Sequence, residues 1–109
     1  MNTYLTSQDE WVIISTHTAT VGLDCRSVRG DVVYIELPVI GLDVQKGQPC
    51  ATVESIKAVS EVHAPVNGTI SSVNDSVYDM PDIISQKDTW LFKVTFEGEA
   101  DIGEWTVKK

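Results

Sequence analysis

Apolar residues in this chain recur at every second position and scarcely anywhere at the three-to-four spacing of a helix, a period that restricts it to strands. Over residues 31–37, Val33, Ile35 and Leu37 fall on one face and Val32, Tyr34 and Glu36 on the other. Over 90–96, Trp90, Phe92, Val94 and Phe96 share a face. Shorter runs at 11–14, 18–23, 50–54, 58–64 and 69–73 are set apart by turn residues, and Ser15-Thr16-His17 is predicted to fold the first two into a hairpin. Pro38 cannot donate to a ladder, so 39–43 reads as an excursion into a turn at 45–48. Asn67-Gly68 is predicted to supply the positive φ angles of a tight reversal. Residues 24–30 are too short for a stable helix, and 80–84 begins a loop or short helix with Pro81 in its first turn. Many short strands at turn-separated intervals predict an all-β sandwich or barrel, a single domain over residues 1–109.

The two runs at the centre of the chain flank a polar interruption, Ser55-Ile56-Lys57, and are predicted to form a hairpin with Lys57 at its tip. The strands on either side echo each other, with a turn near Gly41 upstream and one at Gly68 downstream, which predicts a quasi-two-fold arrangement about the lysine. A lysine at such a tip is open to a modifying enzyme on all sides. Spacing alone favours an ordinary solvated turn lysine. Glu54 and Glu61 lie three residues before and four after it, close to the hairpin base, where they solubilise the turn or offer a modifying enzyme a fixed carboxylate.

Sixteen acidic against eight basic residues give a net charge of −8, which argues against nucleic acid and anionic membranes but permits docking on basic protein surfaces. The acids are spread along the chain and not gathered in a tail. Apolar runs such as 11–14 are far too short to span a membrane, and no signal peptide is readable at the N-terminus, so a cytoplasmic protein is expected. Cys25 and Cys50 lack metal-ligand spacing and are expected as free, packed thiols. His17 and His63 do not fit a metal or catalytic pattern, and His63, alternating with Val62 and Ala64, is expected on a solvated face. Glycines stand singly at turns, which leaves no phosphate loop. An enzyme with its own active site is not expected.

Several segments together resemble the lipoyl carrier domains and, within them, the glycine cleavage H proteins. They are Glu10-Trp11-Val12, residues 18–22, residues 30–38, Val53-Glu54-Ser55-Ile56-Lys57-Ala58-Val59-Ser60, and Ala64-Pro65-Val66-Asn67-Gly68. The lysine motif differs from the family's by Ile56 in place of valine, and it lacks the methionines that flank a biotinyl lysine. The resemblance implies a flattened barrel-sandwich hybrid of the lipoyl/biotinyl type, with lipoate in amide linkage to Lys57. It implies an arm that accepts an aminomethyl group with reduction at glycine decarboxylase, passes it to a tetrahydrofolate-dependent aminomethyltransferase and is reoxidised by dihydrolipoyl dehydrogenase. A lipoylating enzyme, through a lipoate ligase or octanoyltransferase route, is a further implied partner. The chain itself is then a monomeric carrier. By the same resemblance Glu54 and Gly68 match positions important for recognition and hairpin shape, and Gly41 a glycine near the mirrored turn.

The chain departs from the family's pattern in places. Only 23–29 follows Gly22 where a longer segment with a short helix is usual; the loop 84–90 is short; 98–109 stands where a C-terminal helix is usual; and Asp9 replaces a common histidine. These trims admit a second reading, an H-like carrier that relays lipoate or responds to redox state with a lipoyl-transfer or modifying partner and does not support glycine cleavage.

Overall fold

The computed structural model describes residues 2–108; Met1 and Lys109, the ends of the expected domain, lie outside the described residues. Ten strands follow in order: β1 Thr3–Leu5, β2 Glu10–Ser15, β3 Thr18–Leu23, β4 Val32–Glu36, β5 Asp43–Val44, β6 Pro49–Ser55, β7 Val59–His63, β8 Gly68–Val73, β9 Trp90–Thr95 and β10 Thr106–Val107. They form two antiparallel sheets, one ordered β10-β1-β2-β3-β9-β8-β5 and the other β4-β6-β7. Helix is confined to single turns, a 3₁₀ turn at Cys25–Ser27, another at Asp75–Tyr78, and α1 at Ile83–Gln86. The all-β expectation of two antiparallel sheets holds. Strands before and after Lys57 pair in nested fashion, β6 with β7 in the small sheet and β5 with β8 in the large one.

The two-residue period explains the core. Val12, Val21, Ile70, Phe92 and Val94 from the large sheet meet Ile35, Val53 and Val62 from the small one, all nearly inaccessible to solvent. Leu91, on the opposite face of β9 from Phe92, is also buried, in one cluster with Val77 and Ile84. The free edge of β4 is covered by the segment after β8: Tyr78 Oη accepts from the Leu37 amide at 3.2 Å, and Asp82 Oδ1 from the Val32 amide at 3.0 Å. Side-chain acceptors thus occupy edge donors that would otherwise invite another chain.

The structure departs from the sequence reading in several places. In β4 the register shifts between Val32 and Tyr34, so Val32 is buried while Val33, expected with Ile35 and Leu37, is 56% exposed; one extra residue in a strand turns the following side chains over. Asn67 and Gly68 do not adopt positive φ, and no tight reversal forms there, because β7 and β8 belong to different sheets and 64–67 is a crossover. Pro81 precedes the cap residue Asp82 and stands outside α1. The short strands β1, β5 and β10, too brief to show a period, were not legible; β5 begins at the last residue of the expected excursion, and β10 pairs with β1.

One buried carboxylate ties the sheets together. Glu10, on β2, is 2% exposed; its Oε2 accepts from the His63 amide at 2.6 Å and lies 2.7 Å from His63 Nδ1, while Oε1 accepts from Thr6 Oγ1 at 3.0 Å. His63, expected on a solvated face, is therefore half-buried and bound across the sheets. A cleft of about 280 Å³ beside this pair is lined by Thr6, Lys46, Pro65, Glu104 and Trp105 as well.

Candidate functional site

The turn between β6 and β7 is organised by Ser55. Its amide donates to the Ala58 carbonyl at 2.8 Å, and its Oγ accepts from the amides of Ala58 at 3.1 Å and Lys57 at 3.3 Å. A short hydroxyl that satisfies two turn amides holds three residues, Ile56 to Ala58, in a compact loop. Lys57 occupies the exposed tip, and among the described residues its ammonium enters no ion pair. The amine is thus presented free to solvent.

A second segment props the tip from below. The Ile56 amide donates to the Asp31 carbonyl at 3.0 Å, and Gly30, at φ 77°, lies against Ile56 and Lys57. A Cβ added to Gly30 would come 2.9 Å from Ile56 Cγ1 and 3.4 Å from Lys57 Cγ. Only glycine combines that left-handed backbone with so close an approach. Ser55 and Gly30 were not singled out as site residues from the sequence; the only signal was their place inside the quoted motifs, since their partners are set by folding.

Of the four residues named beside the lysine, two share its neighbourhood. Glu54 pairs with Val59 in the last ladder row before the turn, and Glu61 pairs with Thr52 one outward-facing row farther back. Gly41 and Gly68 lie with the other sheet. Gly41, at φ 94°, donates its amide to Ile70 O at 2.8 Å, and space beside it is open. Gly68 is paired with Val44, and a side chain there would collide with the Thr95 carbonyl and Val94. The requirement for glycine at 68 is therefore close approach of β9.

Other polar groups form a cluster at the start of the 3₁₀ turn after β3. Asp24, 4% exposed, accepts from Arg26 Nε at 3.1 Å, Arg26 Nη2 at 2.9 Å and Lys108 Nζ at 3.4 Å. The Arg26 guanidinium is the main cause holding its carboxyl down to about 2. Both thiols are free. Burial pushes Cys50 up to about 11, and burial followed by the hydrogen bond to Asp88 raises Cys25, so neither is a ready nucleophile. Among the described residues no helix is long and apolar enough to cross a membrane.

Comparison with known proteins agrees with this geometry. The family model described as glycine cleavage H-protein matches residues 3–108. The chain is 42% identical over 96 residues to a glycine cleavage system H protein of Herpetosiphon aurantiacus, covering 84% of this chain and 74% of that one. It is 35% identical over 107 residues to the H protein of Bartonella tribocorum, covering 94% and 88%. The crystal structure of a glycine cleavage system H protein from Mycobacterium marinum superposes with a TM-score of 0.82 at 30% identity, over 97% of this chain and 90% of that one.

Proposed function

The chain belongs to the glycine cleavage H-protein family, and from that membership we propose that it is a carrier and not an enzyme, with lipoate held in amide linkage at Lys57. The observation that carries the assignment is the presentation of Lys57: an amine at an exposed hairpin tip, free of ion pairs among the described residues and propped by Ser55 and the 30–31 segment. An amide at Nζ removes one positive charge, and with no carboxylate paired to it that loss leaves no partner stranded. When bound, lipoate supplies a dithiolane able to carry an aminomethyl group and a pair of electrons between enzymes.

This chain's own contribution is presentation. Ser55 fixes the turn, Gly30 permits the tip to seat closely, and the strands behind hold both in register. In this reading the partners are the lipoylating enzyme, glycine decarboxylase, the aminomethyltransferase and dihydrolipoyl dehydrogenase, met by a single monomeric, cytoplasmic domain. Glu54 and Glu61 serve recognition, while Gly41 and Gly68 keep the shape of the sheet behind. The relay reading is not favoured: the match to H proteins runs through 3–108 and covers 88% of the Bartonella tribocorum relative.

Intact mass after co-expression with a lipoylating enzyme and lipoate tests the attachment. One lipoyl increment is expected on the wild type and none on Lys57→Arg; label on the variant overturns the assignment. Loaded protein is further expected to support exchange of carbon dioxide into glycine with glycine decarboxylase, and its failure there would restore the relay reading.

A further inference from the structure

We propose that the turn at residues 39–42 is an anchor that seats in an apolar pocket rimmed by basic side chains on glycine decarboxylase, at the end of the small sheet remote from Lys57. The inference rests on the chain being a glycine cleavage carrier. Val32, at the start of β4, pairs with Ser55 beside the lysine turn, and Glu36, at its end, pairs with Thr52, so the chain leaves the small sheet in the direction away from the tip. The Leu42 amide then donates to the Val39 carbonyl at 3.2 Å, which closes a four-residue turn with Gly41 at φ 94° in its third position. Two further bonds fix this turn to β8: the Gly41 amide donates to the Ile70 carbonyl at 2.8 Å, and the Ile70 amide to the Leu42 carbonyl at 2.9 Å.

A turn so firmly held ordinarily presents polar side chains, glycine or proline to water. Here every residue of the turn other than Gly41 is apolar, and Val39, Ile40 and Leu42 are 74%, 59% and 42% exposed. Tyr78, 51% exposed, stands at the base of the turn, where its Oη accepts from the Leu37 amide. A single exposed valine or leucine needs no explanation. Three aliphatic side chains on one rigid turn, with a tyrosine beside them, form the compact projection that fills a partner's pocket at the centre of an interface. Because the backbone is already hydrogen-bonded, seating it orders no loop.

Charge and size select the occupant. Residues 37–43 and 68–79, which meet at this turn, include no lysine or arginine, while Asp43, Asp75 and Asp79 are exposed and enter no ion pair among the described residues. A rim of that sign fits lysines and arginines on a partner and repels nucleic acid and anionic membranes. The same acids, on a chain of net charge −8, oppose a second copy. One turn also falls far short of the about 800 Å² per partner that a stable dimer buries. Among the enzymes that meet the arm, glycine decarboxylase has to keep the carrier seated while carbon dioxide leaves glycine and the aminomethyl group passes to the arm. A contact distant from Lys57 holds the carrier through both events and leaves the arm free to move.

The test is steady-state exchange of carbon dioxide into glycine by purified glycine decarboxylase, with the lipoylated full-length protein as the varied substrate. The double variant Val39→Ser, Ile40→Ser is expected to take up lipoate as wild type does, to keep the wild-type Tm, and to raise KM for the carrier roughly tenfold with kcat unchanged. Asp43→Asn with Asp79→Asn, which leaves the apolar side chains in place, is expected to raise KM less and to flatten its salt dependence. Val107→Ser, at a 49% exposed position on β10 at the opposite edge of the large sheet from β5, is expected to behave as wild type. A folded Val39→Ser, Ile40→Ser variant with wild-type KM overturns the anchor and leaves the glycine cleavage reading standing. A KM raised with the aminomethyltransferase or the dehydrogenase but not with the decarboxylase overturns it too, and gives the turn to that enzyme. Sedimentation that finds wild type self-associated and the double variant monomeric overturns it in favour of a second copy. Lipoylated wild type that supports no exchange removes the glycine cleavage reading and the anchor together.

Discussion

Asp24 sits in a local environment far from that of a free side chain. Three donors on two cations converge on a nearly buried carboxylate, with Arg26 foremost, and hold its pKa at about 2 against an ordinary 3.8. A carboxyl depressed in the folded state stabilises the fold fully above its ordinary value and loses that contribution as pH falls through about 2. Because Arg26 is largely exposed, the contribution at neutral pH is about 1–2 kcal/mol. Asp24→Asn is therefore expected to lower the urea midpoint at pH 7, and the gap to wild type is expected to close as the pH approaches 2. A gap that persists undiminished in acid would show that packing, and not charge, is what Asn loses.

At the scale of elements, the lysine hairpin and its prop form one unit, and two glycines separate backbone strain from contact. Gly41 and Gly30 both lie at positive φ, but only Gly30 has neighbours within reach of a new Cβ. Alanine at either position is expected to cost about 1–2 kcal/mol from the left-handed backbone alone. Gly30→Ala must also displace Ile56, and with it the segment bearing Lys57. Thermal denaturation is expected to show both losses, whereas the kcat/KM of acylation is expected to fall only for Gly30→Ala. Equal acylation of both variants would show that the 30–31 segment does not position the tip.

At the scale of the whole molecule, two sheets of unequal size are joined through a shared apolar core and one polar link, Glu10 to His63. Glu10→Ala leaves a buried backbone amide and a half-buried imidazole without their acceptor, at a cost of about 1–3 kcal/mol. Its urea midpoint is expected to drop accordingly. A double-mutant cycle with His63→Ala is expected to recover only part of that loss, because the His63 amide remains unpaired. Full recovery would place the whole effect in the side-chain pair.

The sequence by itself determined the class of fold, the hairpin and the lysine at its tip, because a two-residue period and a polar break between β-branched runs are local properties carried by neighbouring residues. It also placed the lysine motif in its family through residues 53–60. What it did not contain was which strand meets which. The bulge at Val33, the sheet crossover at Asn67-Gly68 and the engagement of His63 by Glu10 each arise from partners distant in the chain. The same holds for the surface beside Lys57. Tyr34, Glu36, Glu54, Val59 and Glu61 belong to three strands, and only their registration side by side turns scattered acids and apolar residues into one face.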